Sequence, residues 1–337
     1  MGFSKANVAV VGCGYWGKNL VRNFAQLRGL RWICDANEAM LQKQKQLYPE
    51  IRLTEQFEAV LADDEVQGVA IATPAAMHYT QVKQAILAGK DVFVEKPLAL
   101  QYKQGQELAA LAKKHNRILM VGHILEYHPA VKLLKELVQQ GELGKLLYLY
   151  SNRLNLGKVR QEENILWSFA PHDISVITSL IGAAPISVRA AGGTYLQDNI
   201  ADVTTTNLLF EQGTRAHIFV SWLHPYKEQK LVAIGDRKMA VFDDTVREGK
   251  LKIYDKGIDW QAGLPVPRKT SETTLFLEEA EPLKLECKHF LECLQSRQQP
   301  LTGSDNALTV LKVLEASQSS LEQGGNVVSL SEIDRGQ

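Results

Sequence analysis

The sequence predicts two domains: an α/β domain built on a doubly wound parallel sheet, then an α+β domain with a large, open, mostly antiparallel sheet. Three observations predict this. Up to about Gly122, short apolar runs alternate with amphipathic stretches, the rhythm of strand and helix units that lay helices on both faces of a parallel sheet. Beyond Gly122, strand-like runs follow one another through turns such as "EQGT" and "GDRK", which suits antiparallel pairing. The 337 residues exceed one typical domain and give each of two units enough chain for its own core. The boundary is expected between residues 122 and 123, dividing the chain into 1–122 and 123–337.

In order, "NVAVVG" reads as the first strand, a helix starts near Tyr15, "LRWICD" is the next strand and a helix runs through Leu47. "GVAIATP", a helix near Ala85, "DVFVEKP", a helix around Leu108 and "NRILMVG" complete the first domain. In the second, the helix "PAVKLLKELVQQGELG" leads into "KLLYLYSNRLNL", and a further helix is expected to begin near His172. The strand-like runs "ISVRAAGG", "VTTTNLLF", "RAHIFVSWL", "KLVAIG" and "MAVFDD" follow. Two helices close the chain, Pro282 to about Ser296 and Asp305 to about Glu322.

Lys plus Arg and Asp plus Glu both number 38, so the formal net charge is zero. That removes the electrostatic case for a general nucleic-acid or anionic-membrane binder. The N-terminus turns from a short apolar run straight into glycines, unlike a signal peptide, and Ala6 stands where a myristoylation signal has Ser or Thr. No apolar run reaches spanning length, and a cytoplasmic protein is expected. Cys13, Cys34, Cys287 and Cys293 lack C-x-x-C spacing, which favours thiols in a reducing compartment. Cys287, His289 and Cys293 are read as helix packing, not as a metal site; no metal is expected.

Gly12, Gly14 and Gly17 have G-x-G-x-x-G spacing where the first strand meets the first helix. Glycines let the backbone turn and approach a pyrophosphate, and the helix N-terminus presents free N–H groups and a positive dipole end. Asp35 ends the second strand, where a carboxylate can bond the adenosine ribose hydroxyls. Its charge opposes a 2′-phosphate and "CDANEAM" holds no arginine, so a Rossmann domain binding NAD is expected. "IATPAAMHY" ends the next long strand at the same edge, bringing Thr73 and Pro74 to the cofactor crevice; His78 by itself reads as helix packing or exposure. "VEKP" ends the strand after that. Pro97 removes an N–H and restricts Lys96, fixing where its ammonium points; otherwise Glu95 and Lys96 are a surface ion pair before a turn.

The set "GCGYWG", "ATPAAMH", "EKP", the Gly122–His123 pair and the histidine of "APHDIS" resembles the Gfo/Idh/MocA oxidoreductases across nearly the whole chain. The resemblance implies an NAD-dependent dehydrogenase acting on a CH–OH group, with Tyr15, Trp16, His78, Glu95, Lys96 and His123 joining the glycine turn around the cofactor. It implies that Lys96 reaches the substrate hydroxyl and that His172 exchanges its proton. Where many relatives carry Asp-x-x-x-His, Ser168 stands in the aspartate's place, and Asp173 caps or orients the helix instead.

"SNRLNLGKVRQEENILW" holds Arg153, Lys158 and Arg160 among Asn152, Asn155 and Asn164. Arginine suits phosphate or carboxylate oxygens, and the bland alternative is a solvated loop. The stretch resembles the sugar-nucleotide branch of the family. The resemblance implies oxidation at C3 of UDP-N-acetylglucosamine, for diamino sugars of lipid A or a surface polysaccharide, with Lys96, Arg153, Asn155, Arg160, Asn164 and His172 touching substrate. Alternatives are UDP-N-acetylglucosaminuronic acid, another sugar, or a noncatalytic NAD-binding regulator. Trp222, His224 and Tyr226 read as packing first and ligand contact second. Relatives associate through the second-domain sheet, implying a homodimer or homotetramer.

Overall fold

The computed structural model describes residues 7–157 and 159–335. Residues 1–6, including Ala6, and Lys158 lie outside the described residues.

Two compact units form, and the first is discontinuous: residues 1–127 with 280–311, the second being 128–279 with 312–337. The first unit contains β1 (Val8–Val11), α1 (Gly17–Gln26), β2 (Leu30–Cys34), α2 (Glu38–Leu47), β3 (Arg52–Thr54), α3 (Phe57–Ala62), β4 (Gly68–Ile71), α4 (Ala75–Leu87), β5 (Asp91–Glu95), α5 (Tyr102–Lys114), β6 (Leu119–Gly122) and a 3₁₀ turn at Ile124–Tyr127. Its strands lie in the order β3-β2-β1-β4-β5-β6 and all run parallel. The order reverses between β1 and β4, so the strand ends there open a crevice suited to a dinucleotide.

Alternation along each strand sorts the side chains onto two faces. Val8, Val10, Ile33, Phe93 and Met120 pack on one, and Ala9, Val11, Ile71, Val92 and Val94 on the other. The first face is covered by α1 and by a late helix, α8 (Pro282–Ser296), whose Phe290 meets Phe24 at 6.3 Å and Phe93 at 5.8 Å between ring centroids. This corrects the single boundary expected after residue 122. The apolar stripe of α8 is needed to cover β1 and β5, so residues 280–311 belong with the first unit.

The second unit contains α6 (Pro129–Gln139), β7 (Leu146–Leu154), α7 (Ile165–Ile181), β8 (Ser187–Gly193), β9 (Val203–Leu209), β10 (Arg215–Ser221), β11 (Glu228–Gly235), β12 (Met239–Asp243), β13 (Leu251–Gln261) and β14 (Leu264–Leu275). After α9 (Ser304–Glu322) come β15 (Val328–Ser329) and α10 (Leu330–Arg335). The sheet order is β14-β13-β12-β11-β7-β10-β9-β8-β15, antiparallel except where β10 runs parallel to β7. The β13–β14 hairpin escaped the sequence reading because Pro265 and Pro267 argue against a strand; they are tolerated since β14 is a sheet edge.

The helix expected near His172 starts earlier. Asn164 caps α7 by accepting the Trp167 N–H at 3.2 Å, and Pro171 and His172 both lie inside the helix. The helix is apolar almost all round because it packs against β7, β9 and β10. Among the described residues, no helix is long and apolar enough to cross a membrane.

Candidate active site

In the first unit the predicted residues gather at the C-terminal ends of the strands. Gly12 follows β1 with φ +85°, and a Cβ there would lie 2.9 Å from the Ala72 carbonyl. A Cβ at Gly17 would lie 1.8 Å from the Gly12 oxygen. Those two glycines are demanded by the turn itself. Gly14 differs: a Cβ there meets nothing within 4 Å, so its missing side chain leaves open space. Helix α1 begins beside it with Trp16 as N-cap, no side-chain cap and no acidic residue in its first turn. Free N–H groups beside a glycine that clears the approach fit a pyrophosphate.

The Asp35 carboxylate accepts the Cys13 N–H at 2.7 Å and the Asn37 N–H at 2.9 Å, tying the glycine turn to the end of β2. Each oxygen keeps a second lone pair for a ribose hydroxyl. Burial, reinforced by Asp35, pushes the Cys13 thiol up to about 12, so it is an inert packing group. Tyr15 is largely exposed on the turn, and the Trp16 indole donates to Glu95 at 2.5 Å, joining the turn to β5.

At the end of β4, Thr73 donates to Gln81 at 2.6 Å and the exposed Pro74 caps α4. His78 is 1% exposed; its ring nitrogens lie 2.7 Å from the Pro97 carbonyl and 2.9 Å from the Thr73 carbonyl. It therefore clamps the β4 and β5 turns together. This favours the packing alternative over the expected cofactor contact.

Glu95 and Lys96 stand at the end of β5, and the Lys96–Pro97 peptide is cis. On neighbouring β6 the register partner of Glu95 is Gly122, where a Cβ would come within 2.8 Å of the Glu95 carboxylate. Burial pushes Glu95 up to about 7, against the Trp16 hydrogen bond and the Lys96 charge. His123 is 2% exposed, and burial together with Lys96 pushes its imidazole down to about 3, so it is neutral at physiological pH.

The second unit holds the remaining residues. His172 lies in the second turn of α7, one helical turn after the buried Ser168. Its neighbour Asp173 faces β7: it accepts Ser151 Oγ at 2.5 Å, Arg153 Nε at 2.8 Å and Arg153 Nη2 at 3.1 Å. Burial opposes the Arg153 charge, but Asp173 and then Asp244 hold it above the ordinary arginine value. Arg153 is thus engaged in fixing α7 to β7, a structural role beside the expected substrate contact. Asn164 is likewise engaged, as the α7 cap and as donor to Gln318 at 2.8 Å. Arg160 pairs with Glu163 at 3.1 Å and keeps 41% of its side chain exposed; Asn155 continues β7, donating its N–H to the Ser221 carbonyl at 3.0 Å.

Trp222 is fully buried and donates to Asp202 at 2.5 Å, the packing role read first, whereas Tyr226 is exposed. Cys287 and Cys293 are buried in the α8 stripe. Sequence reasoning passed over Glu286 on the same stripe, a carboxyl with 0% exposure. Its signal was positional: it falls three residues after Leu283 and four before Phe290, on the apolar face.

The Gfo/Idh/MocA model described as an oxidoreductase family with an NAD-binding Rossmann fold matches residues 6–123, and the family's C-terminal domain matches residues 131–241. The chain is 26% identical over 291 residues to the UDP-N-acetylglucosamine 3-dehydrogenase of Acidithiobacillus ferrooxidans, covering 85% of this chain and 87% of that one. A solved structure of that enzyme shares the fold with a TM-score of 0.83 at 25% identity, covering 94% of this chain and 98% of its own. The chain is also 25% identical over 334 residues to the NAD-dependent scyllo-inositol 2-dehydrogenase of Bacillus subtilis, covering 94% of each. Both units carry a matched domain and the first has its glycine turn and strand-end lysine in place: the chain belongs to the Gfo/Idh/MocA family of NAD-binding oxidoreductases.

Proposed function

We propose that the chain oxidises the C3 hydroxyl of UDP-N-acetylglucosamine to the 3-keto sugar nucleotide, a step toward diamino sugars of lipid A or a surface polysaccharide. The observation that carries this reading is the similarity to a UDP-N-acetylglucosamine 3-dehydrogenase over 85% of the chain, together with Lys96 held at the end of β5. Bound NAD supplies the hydride acceptor. Lys96 Nζ donates to the substrate oxygen as negative charge develops on it, an interaction strongest in the transition state. The His172 imidazole takes the hydroxyl proton, the general-base role for which imidazole chemistry is suited. Asp173, locked to Arg153 and Ser151, holds the helical turn that carries His172.

The engagement of Arg153 with Asp173 favours the neutral N-acetyl sugar over its uronic acid, whose carboxylate would lose that arginine as partner. Association into a homodimer or homotetramer through the second-unit sheet belongs to the same reading. Light scattering that shows a monomer at micromolar concentration removes that part.

The test is absorbance of reduced nicotinamide after mixing protein and NAD with UDP-N-acetylglucosamine, with its uronic acid and with free sugars in parallel. Reduction with the first alone, lost in His172→Ala, supports both substrate and base. Reduction with the uronic acid alone moves the assignment there. NAD binding without turnover on any of them, unaffected by Lys96→Ala, supports a noncatalytic regulator.

A further inference from the structure

Glu286 is a buried acid that the proposed chemistry does not use. It is 0% exposed, and neither carboxyl oxygen has a hydrogen-bond partner among the described residues. An ionised carboxylate in that state is untenable, and even a neutral one carries a penalty that an apolar Leu would not.

Its position explains why the acid stands there. Phe290 of α8 meets Phe93 of β5. Glu95 lies two residues beyond Phe93 on the same strand face, and Glu286 lies one helical turn before Phe290 on the same helix face. Both carboxyls therefore occupy the layer between α8 and the end of β5. Gly122 on β6 leaves room for Glu95 in that layer.

We propose that Glu286 is a positioning residue of the cofactor crevice: a carboxyl kept in its neutral, proton-bearing form behind Glu95, so that the pair carries one negative charge, placed on Glu95 beside Lys96. The inference rests on the NAD-dependent reading of this crevice. A single charge there favours the positively charged oxidised nicotinamide over the neutral reduced form. A second charge would be repelled by the first, as in other close carboxyl pairs.

The electrostatics agree with the placement. Burial first, then the charge of Glu95, raises Glu286 well above the ordinary carboxyl value. Burial and Glu286 also raise Tyr127 in the 3₁₀ turn and Cys287 on α8, so both face it uncharged. Glu95 in turn faces Trp16 and Lys96, and Lys96 faces the neutral His123.

The test uses two variants and two readouts. The first is Tm against pH for wild type, Glu286→Gln and Glu286→Leu. An acid whose folded value is raised holds a proton that the unfolded chain gives up, so wild-type stability falls as pH rises above the ordinary glutamate value of 4.5. Both variants lack this loss, so, apart from a constant packing offset, the difference from wild type should shift in their favour as pH rises above 4.5. A difference that does not shift this way with pH overturns the protonated carboxyl.

The second readout is NAD⁺ affinity against pH, measured by calorimetry. Glu286→Leu replaces a neutral polar group behind Glu95 with hydrocarbon and should move the midpoint up by about one unit, weakening binding about fivefold near pH 7. Glu286→Gln keeps a neutral polar group there and should restore the wild-type curve. A Leu variant that titrates like wild type overturns the positioning role, and so does a Gln variant that fails to rescue. If wild type binds no NAD⁺ at any pH, the cofactor reading fails and the positioning role with it, while the Tm curves still report which state Glu286 occupies.

Discussion

Asp173 and Glu286 are both acids buried in a helix that packs on a sheet, yet their surroundings are opposite. Asp173 is 3% exposed and its oxygens accept from Ser151 and from two nitrogens of Arg153. Glu286 is fully buried and its oxygens accept from nothing among the described residues. A satisfied buried charge fixes one element on another, here α7 on β7, and makes a scaffold. An unsatisfied carboxyl, even a neutral one, costs stability, about 1–3 kcal/mol, and is retained where function requires it. The two units thus bury an acid to different ends, the second locking a helix and the first leaving a strand end electrostatically tense.

Removing the two groups proposed to touch the reacting oxygen should have the largest effects on activity. Lys96→Ala and His172→Ala should each lower turnover about 10²–10⁴-fold, read as NADH formation with UDP-N-acetylglucosamine. Neither should lower Tm as far as a scaffold variant does. A His172→Ala enzyme that retains wild-type turnover breaks the assignment of the second unit as proton acceptor.

The scaffold side of the comparison is tested at Asp173. Asp173→Ala leaves Arg153 buried and unpaired, which costs ~3–5 kcal/mol in such pairs and should appear as a lowered urea midpoint. Replacing both partners, Arg153→Met with Asp173→Leu, should recover most of that loss, because apolar pairs of similar volume substitute well for buried ion pairs. If the double variant is no more stable than the single one, the network does more than hold α7 to β7.

How much of this was legible in the sequence follows from how local each signal is. The first unit announces its site because a parallel sheet puts Gly12, Asp35, Thr73 and Lys96 at strand ends, each beside its own motif. Contacts between residues far apart in sequence leave no such trace. Nothing near "LKLECKHF" says that α8 covers β5, so neither the discontinuous unit nor the burial of Glu286 beneath the sheet was visible. Arg153 was read as a ligand for substrate because its partner Asp173 lies 20 residues away on another element. The start of α7 was expected near His172, whereas its cap is Asn164, further back along the chain.

The glycine turn sharpens the contrast between structural and functional demand within a single motif. Gly17→Ala drives a methyl into the Gly12 carbonyl and should lower stability by about 1–3 kcal/mol, as overpacking does. Gly14→Ala meets nothing within 4 Å and should leave Tm nearly unchanged while weakening NAD⁺ binding measured by calorimetry. If the two variants lose stability alike, Gly14 serves the turn and not the approach to a pyrophosphate.

The smallest effect is expected at Trp16, whose indole gives Glu95 a hydrogen bond. Trp16→Phe keeps the aromatic bulk and removes the donor, a loss of about 0.5–1.5 kcal/mol. The sign follows from which form of Glu95 the bond favours. Burial holds Glu95 up at about 7 against an ordinary value of 4.5, and Trp16 pulls it down, so the variant should titrate higher. Because the folded value is raised, wild-type stability falls with pH from about 4.5 until Glu95 ionises near 7. In the variant that fall continues to higher pH. The difference between their Tm curves, apart from a constant packing offset, should therefore appear above pH 7 and be absent near pH 4.5. A constant difference at every pH means that Trp16 packs on the strand end without setting the charge of Glu95, and the electrostatic tension assigned to the first unit then rests on burial and Lys96 alone.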